Sequence, residues 1–378
     1  MLKQINNQKV MKKYFIIAAA AIVALAACTK SEIDTPAQKE ISYNAITAKN
    51  TVSKAIIDHS FYAPNDPAFG IWALYQPTNW STDKNVSDFW VGTAANASAQ
   101  ITNTTGTDAG YWKNAAGIDY WPISGKLVFM GYSPYDHVSS KATIGKGAGD
   151  DAGKVLLTVT DFNSATGDWV DDLMYSDPVE KSANDTGYDH DGADGTATLY
   201  DGVPVMFHHA LSMITVKAKA AATYTGYTFA INSITLTIDD KATLTAMAAP
   251  GSSAVADWTE AGTEASKTLT LTSAASGLTT SYEAMSEPVL VIPQTLDASA
   301  GAGYDKLVIN YTLTHNEVAS TVEKTIYIQK ASTLESLLKN TKYNLNLEFS
   351  LTEIKYSPDI TPWESAADTA YNVPGNAV

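Results

Sequence analysis

The chain has 378 residues, 45% of them hydrophobic, and a formal charge of -15, with every one of its 25 basic residues a lysine. That length is enough for two domains with substantial cores. The acidic balance excludes nucleic acid and anionic membrane surfaces as partners.

Met11-Lys12-Lys13 and the apolar run Tyr14 to Ala27 form a short basic region and a hydrophobic segment too short for a comfortable membrane span. Residues 1–27 read as a signal peptide, beginning at Met1 or Met11. Leu25-Ala26-Ala27-Cys28 closes it as a lipobox. Cys28 is the only cysteine, which excludes an intramolecular disulfide. Its position after small residues marks it as a lipidation site that anchors the chain to a membrane. Thr29 to Lys39 is a polar tether. A first strand follows at Ile41 to Thr47, with Ile41, Tyr43 and Ala45 on one face. The stretch AKNTVSKAII after it offers Lys49 and Lys54 as candidate protease sites.

From Phe61 onward, aromatic-rich segments alternate with turn residues, and Leu127 to Tyr132 is apolar almost throughout, as in a strand covered on both faces. Gly145 to Gly153 and Asn184 to Gly202 are Gly/Asp-rich and predict surface loops. Asp189 to Gly195 supplies hard oxygen ligands, but the twelfth position counted from Asp189 is Tyr200 rather than Glu. A solvated acidic loop is the default there, with calcium as the alternative. His208 and His209 are neighbours on a strand and face opposite sides of it, which fits a structural role better than metal ligation. Gly145-Lys146-Gly147-Ala148-Gly149 lacks the phosphate-loop spacing, and HExxH and GxSxG are absent. Nothing points to an enzyme, a cofactor, a metal site or a catalytic residue.

Strand character resumes at Val205 to Lys219, where Ile214, Val216 and Ala218 oppose Thr215, Lys217 and Lys219. A domain boundary is placed just before it, giving 55–203 and 204–378. Further period-two runs follow at Ile234, Leu269, Val289, Leu307 and Ile326. The one helical signal is Ser332 to Lys339, with Ser332 and Glu335 spaced as a capping box. Short strands, frequent turns and little helix indicate an all-β protein of two tandem sandwiches.

The cleanest strand is in YNLNLEFSLTEIKYSPDITPW, Tyr343 to Trp363. Tyr343, Leu345, Leu347, Phe349 and Leu351 alternate strictly with polar residues, then the parity flips to Ile354 and Tyr356. A bulge, a bend or a change of sheet is expected near Thr352 and Glu353. Pro358 and Pro362 confine any further strand to an edge.

This block resembles the C-terminal signature of the Bacteroidales fimbrillin family. LAAC, ISYNAIT, DYWPISGKLVFMGYSPY, FHHALSMITVKAKA and VLVIPQ agree with it in order along the chain. The resemblance implies transthyretin-like sandwiches and a pilus subunit exported as a lipoprotein, with other pilin subunits as partners. It implies that residues 28–54 are a lipidated propeptide cut between Lys54 and Ala55, where the family normally presents Arg. Release of the first strand, with Ile41, Tyr43 and Ala45, then opens a groove that a neighbour's C-terminal segment fills. The donor candidates here lie between Ile354 and Val373: Ile354, Tyr356, Ile360, Trp363, Tyr371 and Val373. Ala370-Tyr371-Asn372-Val373 echoes Ser42-Tyr43-Asn44-Ala45. The competing reading is an outer-surface lipoprotein or tip subunit whose loops at 145–153 and 184–202 bind glycan or host protein.

Overall fold

The computed structural model describes residues 39–47, 68–78, 80, 88–103, 112–165, 172–183, 185, 202–260, 264–298, 305–329, 332 and 334–363. Their regular structure is almost all strand. The first strand is β1 (Tyr43–Thr47), followed by β2 (Ala68–Gln76), β3 (Phe89–Val91), β4 (Ala99–Asn103), β5 (Trp112–Asn114) and β6 (Lys126–Ser133). Next come β7 (Ala142–Lys146), β8 (Val155–Asn163), β9 (Met174–Ser176), β10 (Val179–Lys181) and β11 (Val203–His209). Then follow β12 (Ser212–Ala220), β13 (Tyr227–Asp239), β14 (Lys241–Ala248), β15 (Val255–Glu260), β16 (Glu264–Thr268), β17 (Glu283–Ala284) and β18 (Val289–Val291). The last are β19 (Gln294–Thr295), β20 (Lys306–His315), β21 (Val318–Tyr327), β22 (Ser336–Leu337), β23 (Thr341–Phe349) and β24 (Ile354–Pro362).

The first sheet runs β10-β6-β9-β11-β1-β5-β4-β2-β3, and because β6 also pairs with β2 its central strands close into a ring. Odd-numbered side chains of β2, among them Phe69 and Ile71, turn inside the ring with Phe129, Trp112 and Phe207. Even-numbered Trp72 and Leu74 turn outward with Val128, Met130 and Tyr132, against the sheet β15-β14-β8-β7. Both faces of β2 and β6 are therefore buried, as the continuous apolar run at Leu127 to Tyr132 requires. Two further sheets, β17-β12-β23-β24 and β16-β13-β20-β21, face each other over the third core, built on Ile214, Ile234, Leu307 and Leu345.

The boundary expected at 203/204 does not coincide with a change of sheet. β11 begins at Val203 and belongs to the ring, pairing with β1 and β9. The chain changes sheets after it, at Ala210 and Leu211, so Val205 to Lys219 is two strands in two sheets. It changes again at Asp240: β13 lies in the C-terminal sandwich, whereas the β14-β15 hairpin pairs with β8. Strand periodicity marks buried faces but not the sheet a strand joins, which is decided by pairing far along the chain.

Two local expectations are corrected. Ser332 to Lys339 does not form a helix: Ser336–Leu337 pairs with Gln294–Thr295, and the Ser332 Oγ donates to the Ile328 carbonyl (2.8 Å) and accepts from the Leu334 amide (3.2 Å). Short polar side chains compete with the helix for backbone groups in this way, and here the turn wins because Leu334 and Leu337 gain burial in the core. The Gly145 to Gly153 loop is shorter than expected, since Gly145 and Lys146 end β7. A 3-10 turn at Gly149–Asp151 then leads into β8.

Candidate functional site

β1 is the first described strand of the chain and it closes the ring. On one side it runs parallel to β11 from Tyr43↔Val203 to Thr47↔Phe207, and on the other Tyr43 pairs antiparallel with Trp112 of β5. Ile41, Tyr43 and Ala45, which the sequence places on one face, are 3%, 1% and 1% exposed in the ring core. The Tyr43 ring meets Phe69 and Phe129 edge-on at 6.2 and 6.0 Å. Among the described residues its hydroxyl has no hydrogen-bond partner, and burial, with Asp119 second, holds its pKa well above the ordinary value. Gly202 lets the chain approach: at φ +146 it lies so close that a Cβ would come within 2.8 Å of the Tyr43 carbonyl carbon.

Upstream of β1 the chain pairs with the start of the DYWPISGKLVFMGYSPY block, a contact that sequence reasoning did not foresee. The Ile41 amide donates to the Asp119 carbonyl (2.8 Å), the Trp121 amide donates to the Lys39 carbonyl (2.9 Å), and Glu40 bridges Tyr120. Within this DYWP block, Trp121 is buried against Phe129 at 5.7 Å. The alternation of exposed and buried side chains there is the only local signal, and its strand is too short to register as one.

The last described strand is an edge. Ser350 to Glu353 make a tight turn, so the parity flip after Leu351 marks a reversal, and β24 returns antiparallel along β23 from Phe349↔Ile354 to Thr341↔Pro362. β24 ends its sheet, as Pro358 and Pro362 require. Ile354 and Tyr356 pack at the margin of the third core, while Ile360 is 50% exposed. A shallow groove of about 580 Å³ runs beside the strand, with Leu338, Tyr356, Pro358 and Ile360 in its lining. Burial raises the pKa of Tyr356 far above the ordinary phenol value. Trp363 fastens the end of β24: it stacks on His209 at 3.9 Å and 10°, and its amide donates to the Asn340 carbonyl (2.8 Å). The donor candidates Ile354, Tyr356, Ile360 and Trp363 are thus engaged with their own chain.

His208 and His209 diverge as neighbouring strand residues do. His209 Nδ1 lies 2.7 Å from Asp172, and His208 Nε2 lies 3.0 Å from Asp177 with its ring against Tyr175. Among the described residues no group of three His, Cys, Asp or Glu is arranged to hold a metal ion. Cys28, Lys54, Ala55, the Asp189 to Gly195 loop, Tyr371 and Val373 lie outside the described residues.

Residues 65–363 match the model of the fimbrillin-like family. Among solved structures, a fimbrial protein from Bacteroides vulgatus is 20% identical, with 86% of this chain and 99% of that one covered and a TM-score of 0.46. The fimbrial anchor protein Mfa2 from Porphyromonas gingivalis is 11% identical, with 86% and 98% covered and a TM-score of 0.31. No curated protein matches.

Proposed function

The chain belongs to the fimbrillin-like family, and from that premise we propose that it is a pilus subunit made as a lipoprotein, matured by cleavage between Lys54 and Ala55, and polymerised by strand exchange. It is a structural protein of fimbriae rather than an enzyme. Export follows the signal peptide, and acylation at Cys28 holds the precursor at the outer membrane beside other subunits.

The observation that carries this reading is the position of β1. It is the first described strand, yet it lies between two partners, and the sequence joining it to β2 contains Lys54. After a cut there, β1 is held by non-covalent contacts alone. Its departure opens the ring between β11 and β5, baring a ladder edge on each side and a cleft shaped by Ile41, Tyr43 and Ala45. Such an edge is a template for a strand from another copy. Each regained ladder bond contributes ~1 kcal/mol net, and apolar burial adds ~25 cal/mol per Å². With Ile354–Pro362 paired to β23, residues 364–378 are the segment left to donate, and Tyr371 and Val373 echo Tyr43 and Ala45.

The test is deletion of 365–378 combined with cleavage at Lys54. Loss of the high-molecular-weight ladder on unboiled gels is expected. An undiminished ladder removes the tail from assembly.

A further inference from the structure

Two groups of exposed apolar side chains lie outside the three cores. One is the loop beside residues 39–41, where Ile118, Tyr120 and Ile123 are 53%, 37% and 82% exposed. This loop is held firmly. The Trp90 indole donates to the Tyr120 carbonyl (2.6 Å), Asn114 donates to the Asp119 carboxylate (2.7 Å), and Trp121 is buried beneath. Its apolar side chains are therefore presented to solvent by a braced backbone. The other patch is the groove beside β24, rimmed by Leu338 and Ile360, 59% and 50% exposed. Rigid exposed apolar patches are characteristic of interaction surfaces.

We propose that these two patches meet in the polymer: the loop carrying Ile118, Tyr120 and Ile123 of one copy seats in the Leu338/Ile360 groove of the copy whose tail it accepts. The inference rests on the strand-exchange reading, and chain length supplies the argument. A tail that replaces β1 in the same direction, with Tyr371 at the Tyr43 position, places Thr369 where Ile41 was. Residues 364–368 alone then separate the acceptor's slot from Trp363 of the donor. Even fully extended, they span at most about 20 Å. The slot at Ile41 is lined by Asp119 and Trp121, so the donor's β24 is brought to the loop that carries the first patch. The contact is head-to-tail: the two patches differ and each copy carries both, so the association propagates instead of closing as a dimer. It also gives the polymer a joint between rigid bodies beyond one inserted strand.

The test separates the contact from the insertion. The acceptor is the chain cut after Lys54 and lacking 365–378; the donor is the full-length chain with Lys54→Gln, which keeps its own β1 and offers its tail. Binding of this donor and of a synthetic peptide of residues 364–378 is measured by surface plasmon resonance. Ile118→Asp with Ile123→Asp in the acceptor is expected to weaken the full donor 10-fold or more and to leave the peptide unchanged. Ile360→Asp in the donor is expected to do the same from the other side, against an unaltered acceptor. Equal losses for donor and peptide, or none for either, overturn the contact while leaving strand insertion standing. A peptide that does not bind removes the insertion itself, and the contact with it.

Discussion

Tyr43 gives the sharpest stability prediction, because its cost should depend on whether β1 is still present. In the precursor the side chain is 1% exposed and packed edge-on between Phe69 and Phe129. Removal of a fully buried aromatic ring from a packed core costs ~3–5 kcal/mol, and the two edge-on contacts place Tyr43→Ala in the upper part of that range. Tyr43→Phe should act in the opposite sense. It removes a buried hydroxyl that lacks a partner among the described residues and keeps the ring, so stability is expected to rise by ~1 kcal/mol. Urea unfolding of the precursor measures both, with the slope checked for constancy. The same denaturation on chains cut after Lys54 and freed of the N-terminal piece should show no difference among the three. A Tyr43→Ala precursor within 1 kcal/mol of the parent would refute the view that β1 closes the ring core.

Gly202→Ala forces a Cβ against the β1 backbone at a φ that favours glycine, and it should destabilise the precursor by ~2 kcal/mol and weaken uptake of the tail peptide, read by the same two assays. Asp305 has its pKa raised from 3.8 to about 6, chiefly by burial. The folded state therefore binds its proton more tightly than the unfolded state, and stability falls as pH rises from about 4 to 6. Asp305→Asn should remove that slope and raise stability at pH 7 by on the order of 1 kcal/mol, measured by unfolding across that range. Cys28→Ser should abolish acyl labelling and accumulate precursor; unchanged labelling would place the lipid elsewhere.

What the sequence revealed and what it hid divide along physical lines. The strict alternation at Tyr343 to Phe349 reports a strand with one buried face, and the prolines at 358 and 362 report its edge, because both are properties of single residues on a pleated strand. Ile41, Tyr43 and Ala45 were legible for the same reason. The ring closure by β6 and β2, the insertion of β14-β15 against β8, and the Trp363–His209 stack were not, since each joins segments far apart in sequence. The Ser332 turn was misread because one serine hydroxyl serves a helix cap or a tight turn equally well, and only the burial of Leu334 and Leu337 selects between them. Pairing of residues 39–41 with 119–121 left only an alternation too short to register as a strand.

The central claim is that the place of β1 is emptied by cleavage and refilled by another copy's tail, and amide hydrogen exchange along β11 reads that place directly. The Val203 amide donates to the Ser42 carbonyl (2.8 Å), and β11 keeps its other edge on β9 only at Phe207 to His209. Amides of Val203 to Phe207 facing β1 should be protected in the precursor, exchange freely in the cut monomer lacking 365–378, and regain protection in the polymer or on adding the tail peptide. Protection that persists in the cut, tail-less monomer after removal of the N-terminal piece would contradict it.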